Sequence, residues 1–244
     1  MFRKSIVVSL VVASALCIGL VFASSENEDA LSRIMSGNKR FVSGALVQKD
    51  IGDAKRKELV RGQHPSAIVV TCSDSRVAPE LIFDEGLGDI FVIRVAGNVL
   101  DPVSLGSIEY AAEHLHTPLL ILMGHEQCGA VTAAVEATGK PEGNIGAIVA
   151  KILPAVKKAR KQGGSRDEIV ANAIKLNVFQ SYEDMLKASP VLKHMIEKGE
   201  LKVAEALYHL GSGEVEILKT EAAAPAAKGH SGHGVHAEKA AVGC

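Results

Sequence analysis

Three short apolar runs mark the middle of the chain. "SAIVV" (66–70), "DIFVIRVAG" (89–97) and "PLLILMG" (118–124) are rich in branched residues and bounded by Gly, Pro or Asp, which predicts buried strands. Between the last two, "DPVSLGSIEYAAEHLHT" carries apolar residues at helical spacing with Pro102 near its start, so a helix follows the second strand. Upstream, Leu31, Ile34, Met35, Phe41 and Val42 recur at helical intervals, predicting an amphipathic helix or a pair of short ones over 28–48. The charged segment "DAKRKELVRG" predicts another, ending at Gly62. Downstream come a helix at "GAVTAAVEAT", a loop at "GKPEGN" and three further helical stretches over 145–198. "KVAEALYHL" and "EVEIL", joined by "GSG", then read as a late strand pair with a tight turn. Strands alternating with helices imply an α/β fold: a single domain with a mostly parallel β-sheet flanked by helices and a late antiparallel strand pair.

The two ends of the chain break this pattern. "MFRKSIVVSLVVASALCIGLVFASS" has Arg3 and Lys4 at its start, an apolar stretch from Ile6 and small residues near Ala23, the layout of a secretory signal over 1–23. An uncleaved membrane anchor is the alternative, since the run is just long enough to span. A lipoprotein reading through Cys17 meets a large residue, Leu16, where a small one is usual. The globular domain is expected over 24–219. From 220 to 244 the chain is Ala, Gly, Lys and His with almost no large apolar side chain, which reads as a solvated, flexible tail. Its His230, His233 and His236, with Cys244, offer weak metal binding or proton transfer to buffer as alternatives.

Charge and length narrow the partners. The formal net charge of -1 over 244 residues shows no basic footprint for nucleic acid, and losing Arg3 and Lys4 takes it only to -3. A small-molecule partner, no nucleic acid and no stable membrane insertion once the signal is cleaved are therefore expected. Export, with a periplasmic or extracellular location, places Cys72, Cys128 and Cys244 where disulfides persist, so a Cys72–Cys128 bridge is one reading.

The other reading comes from strand ends. "TCSDSR" follows the first core strand, "RVAGN" the second and "GHEQCGA" the third, and in a parallel sheet the carboxyl ends of neighbouring strands face one crevice. Cys72, His125 and Cys128 then become neighbours, and two thiolates with one imidazole are a donor set that zinc uses catalytically, a fourth position being left for water. Gly124 and Gly129, flanking the second motif, are expected to permit close backbone approach.

"CSDSR", "GDIFVIRVAGN" and "GHEQCGA" together closely resemble the β-class carbonic anhydrases, over about Leu31 to Leu218. The resemblance implies a β-carbonic anhydrase fold in a homodimer or homotetramer. It also implies one zinc per chain on Cys72, His125 and Cys128, and reversible hydration of carbon dioxide to bicarbonate by hydroxide made available at the metal. Asp74 and Arg76 would be the catalytic dyad. In one subgroup the equivalent Asp moves onto zinc and closes the site. Members that do so usually carry Trp three residues before the first Cys, where this chain has Val69. Gln63, Phe91 and Tyr110 match substrate-pocket positions, the two aromatics being supplied by the neighbouring subunit. Val95 stands where Asn is common. A hydrolase of carbon disulfide or carbonyl sulfide and a non-catalytic exported zinc protein are the competing functions.

Overall fold

The computed structural model describes residues 29–139, 141 and 143–221. Among these, five strands form one sheet in the order β2-β1-β3-β4-β5. They are β1 (Ala67–Thr71), β2 (Ile90–Arg94), β3 (Leu119–His125), β4 (Lys202–Tyr208) and β5 (Val215–Glu221). β1 lies parallel to both β2 and β3, β3 parallel to β4, and only β4 and β5 run antiparallel. Each expected strand is present. β5 runs to Glu221, two residues into the segment assigned to the tail; the signal segment and the histidines at 230, 233 and 236 lie outside the described residues.

The helices are α1 (Ala30–Ser43), α2 (Asp53–Leu59), α3 (Pro79–Ile82), α4 (Pro102–Glu109), α5 (Gly129–Glu136), α6 (Ile145–Gln162), α7 (Arg166–Ala188) and α8 (Pro190–Lys198). α1 stops short of the expected 28–48 because Gly44 takes a left-handed conformation, φ 69°, and caps it. α3 is a single turn that periodicity over so few residues does not announce. α4 opens on an Asp101–Ser104 capping box and widens into a π turn over Tyr110–His114.

Alternation along the strands loads both faces of the sheet. Ile68, Val70, Leu120, Leu122 and Val203 pack with Ile108 of α4 and Val178 and Met185 of α7. Val69, Leu119, Ile121, Met123 and Ala204 pack with Ile34 of α1 and with Ile82 and Phe83 at the end of α3. Each such large side chain withdrawn from water contributes about 1.5–3 kcal/mol before chain entropy is charged against it. A third cluster joins Cys72, Cys128 and Val131 to Ile152 and Val156 of α6 and Ala173 and Ile174 of α7. That cluster sits beyond the carboxyl ends of β1 and β3, where the polar motifs lie. No described helix is long and apolar enough to cross a membrane.

Candidate metal centre

Cys72 immediately follows β1, whose last residue ties it to the neighbouring β3: Thr71 Oγ1 donates to the Met123 carbonyl at 2.9 Å. His125 ends β3, and Cys128 is the N-cap of α5. Gln127 between them adopts φ 52°, the left-handed region that reverses the chain from strand to helix. The result brings one ligand atom from each of Cys72, His125 and Cys128 within 4.8 Å of the others. Both cysteines are free, so the structure corrects the disulfide reading: the sulfurs face a shared point with an imidazole and are not bonded to each other.

The histidine is oriented for ligation. Its Nδ1 lies 2.8 Å from the Glu126 carbonyl oxygen. A carbonyl only accepts, so Nδ1 carries the hydrogen and Nε2 presents its lone pair. That Nε2 is buried and has no hydrogen-bond partner among the described residues, a costly state for a polar atom unless an ion completes it.

The thiols are polarised. The Cys72 thiol is lowered, chiefly by the hydrogen bond from the Cys128 thiol, with the Gly97 N–H adding to it against the cost of burial. The Gly97 amide lies 3.2 Å from Cys72 Sγ. Cys128 is pushed up in turn, because the neighbouring thiolate holds its proton and burial opposes a second charge. Its place over the first turn of α5 gives it the positive end of a helix once both thiols are ionised. Two cysteine sulfurs able to ionise and one imidazole whose lone pair has no partner among the described residues fit zinc.

Asp74 and Arg76 stand at the mouth of this buried triad. The three ligand residues are 5%, 0% and 1% exposed, whereas the Asp74 and Arg76 side chains are 17% and 50% exposed. Arg76 Nε donates to Asp74 Oδ1 at 2.9 Å, its NH2 to Oδ2 at 2.8 Å, and its backbone N–H to Oδ1 at 2.9 Å. This grip holds the Asp74 carboxyl well below the usual range. Asp74 Oδ2 also lies 3.9 Å from His125 Nε2.

A family model described as carbonic anhydrase matches residues 67–215, which include all of these side chains. The chain belongs to the β-carbonic anhydrase family. A carbonic anhydrase of Mycolicibacterium smegmatis is 39% identical over 192 residues, covering 77% of this chain and 91% of that one. Carbonic anhydrase 2 of Mycobacterium tuberculosis is 38% identical over the same shares. Among solved structures, a Coccomyxa β-carbonic anhydrase in complex with acetazolamide superposes with a TM-score of 0.65 at 26% identity, covering 79% of this chain and 88% of that one. One from Aspergillus fumigatus gives 0.60 at 30% identity, covering 78% and 91%.

The residues expected at the pocket, Gln63, Phe91 and Tyr110, lie at or near the surface of the described chain. Gln63 is exposed on the segment before β1. Phe91, half-buried on the edge strand β2, stacks at a tilt against Tyr110, with centroids 6.3 Å apart, and Tyr110 is 40% exposed. The described chain by itself therefore leaves these aromatics at an open edge of the sheet.

One expectation needs revision, and several residues were missed. Gly124 does permit close approach, since a Cβ there would fall 2.7 Å from Val178 Cγ2, but Gly129 has open space around it. Arg94, unremarked in the sequence, spans the first motif: Nε donates to the Cys72 carbonyl at 3.1 Å and NH2 to the Asp74 carbonyl at 2.5 Å. Asn177 and Ser181 of α7 hold the 96–98 turn, through Asn177 Nδ2 to the Gly97 carbonyl at 2.7 Å and Ser181 Oγ to the Asn98 carbonyl at 3.0 Å. Arg94 had one available cue, a cation closing a strand beside a polar motif. The two α7 residues, about eighty positions away, had none.

Proposed function

We propose that this chain is a zinc-dependent carbonic anhydrase that interconverts carbon dioxide and water with bicarbonate and a proton. The observation that carries the reading is the juxtaposition of the buried Cys72–His125–Cys128 triad with an ionised Asp74 held by Arg76 at its mouth. Zinc held by those three residues would supply the Lewis acid that brings the ionisation of water toward neutrality.

The protein's own groups do the rest. Asp74, kept anionic by Arg76, accepts a hydrogen bond from the attacking water through Oδ2 and so turns an oxygen lone pair toward the carbon of the substrate. Arg94 fixes the backbone of Cys72 and Asp74 together, so ligand and carboxylate keep one relative position. The Gln63 amide would donate to a substrate oxygen, and Phe91 and Tyr110 of a second copy would supply the apolar slot in which a small apolar gas collects. Their exposure together on the β2 edge supports a paired assembly, homodimer or homotetramer. The β-carbonic anhydrases of Sordaria macrospora, 26% identical over 67% of this chain and 85% of theirs, TM-score 0.62, are described as tetrameric. Held by Arg76, Asp74 leaves the fourth position at the triad available, which supports the catalytic reading over a closed, non-catalytic one. The basic start and apolar run of residues 1–23 support export to the periplasm or beyond.

Substrate choice is tested by comparing carbon dioxide hydration with hydrolysis of carbonyl sulfide on one zinc-loaded preparation. Fast hydration with slow sulfide turnover is expected; the reverse order contradicts the assignment.

A further inference from the structure

The carbonyl that fixes the tautomer of His125 belongs to the very next residue, Glu126, so the aim of the ligand depends on how that one peptide is held. The peptide is not in a relaxed place. Gln127 follows at φ 52°, a region that a side chain enters at a cost of about 1 kcal/mol, and Cys128 is already committed to the metal site. Something must restrain the turn.

The restraint comes from the Glu126 side chain and the β4–β5 hairpin. The Glu126 backbone N–H donates to the Tyr208 carbonyl at 3.1 Å, continuing the β3–β4 ladder by one residue. Its carboxylate then reaches across to the next two residues of the hairpin: Oε1 lies 2.9 Å from His209 Nδ1, and Oε2 accepts the Leu210 N–H at 3.1 Å. His209 is anchored in turn. Its backbone N–H and carbonyl close the hairpin with Glu214 and Gly213, both at 2.8 Å, and its Nε2 lies 3.3 Å from Glu216 Oε2, which also pairs with Lys175 of α7 at 3.5 Å. The strained turn between two candidate metal ligands is thus stapled to the β-hairpin by the Glu126 carboxylate, and the hairpin to α7 by the carboxylate of Glu216.

We infer that Glu126 and His209 are a positioning pair for the metal centre: through the Glu126 carbonyl they fix the direction of His125 Nε2 and thereby set how tightly, and in what geometry, zinc is held. Outer partners of a ligating histidine typically change metal affinity by about 10–100-fold. Neither residue touches the reacting atoms. The inference rests on the zinc reading above.

The test uses the full-length zinc-loaded protein. Zinc release to an excess of chelator is timed for wild type, Glu126→Ala, Glu126→Gln, His209→Ala and Glu136→Ala, the last being a surface carboxylate on α5 paired with Arg166. The same variants loaded with cobalt(II) report ligand-field geometry through their visible absorption. Expected results are release roughly 10-fold or more faster in Glu126→Ala and His209→Ala with an altered cobalt spectrum, partial restoration in Glu126→Gln, which keeps one acceptor oxygen, and wild-type behaviour in Glu136→Ala. The Glu126→Ala, His209→Ala double variant should release zinc no faster than the worse single variant, because one staple is broken either way. Wild-type release and spectrum in folded Glu126→Ala would overturn the inference, as would equal acceleration by Glu136→Ala; should Glu126→Ala not fold, His209→Ala decides on the same criteria. A wild type that takes up no zinc would instead sink the reading of the site itself.

Discussion

Arg76 grips Asp74 through both carboxylate oxygens, at 2.9 and 2.8 Å, and returns its own backbone N–H to the same group. Three donors from one residue leave Asp74 ionised and its Oδ2 directed past the mouth of the triad, 3.9 Å from His125 Nε2. The pair is both a charge lock and an orientation lock, and the two can be separated.

Asp74→Asn keeps the shape and removes the acceptor charge. Zinc content should stay near wild type while hydration falls on the order of 10²-fold, measured by stopped flow alongside metal analysis. Unchanged turnover would rule out the role given to this carboxylate.

Arg76→Lys keeps a positive charge and loses the fork. A single ammonium cannot hold both oxygens at once, so turnover should fall while zinc binding is kept. Activity equal to wild type would show that charge alone suffices.

Much of this architecture is legible in the sequence because it is local. The branched runs of β1, β2 and β3 announce themselves by composition, and "CSDSR" and "GHEQC" place ligands where parallel strands end. What is not legible is what crosses the chain. Asn177 and Ser181 hold the turn that lends its amide to Cys72, yet on their own helix they read as ordinary polar residues on α7. Glu126 looks like an exposed acid until the hairpin folds against it. The Cys72–Cys128 alternative stays open until geometry shows both sulfurs and the imidazole aimed at one point.

Gly97 adopts φ 69°, and a Cβ there would meet Ile152 Cδ1 at 2.8 Å and Ala130 Cβ at 3.1 Å. Gly97→Ala should destabilise the fold by about 1–3 kcal/mol, read as a lower denaturant midpoint at constant slope, and should loosen zinc because the same residue donates to Cys72 Sγ. An unaltered midpoint would contradict the tight packing described.

Glu205 lies in mid-sheet on β4, 1% exposed, with one carboxylate oxygen lacking a hydrogen-bond partner among the described residues. Burial raises it to about 7, opposed by Lys219 and assisted by Glu221 and Glu183. A carboxyl whose folded value exceeds its unfolded value near 4.5 stabilises the fold fully below that lower value. The contribution is lost as pH rises through about 7. Glu205→Gln should therefore gain stability relative to wild type between pH 5 and pH 8, on the order of 2 kcal/mol. Parallel stability profiles for the two proteins would contradict this assignment.

Hydration of carbon dioxide depends on the zinc that Cys72, His125 and Cys128 would hold. Stopped-flow hydration, measured together with zinc content on wild type and Cys72→Ser, tests it most directly. One zinc per chain with rapid hydration is expected in wild type, and loss of both in Cys72→Ser; a wild type that carries one zinc per chain yet leaves carbon dioxide hydration at the uncatalysed rate would overturn the assignment of the triad.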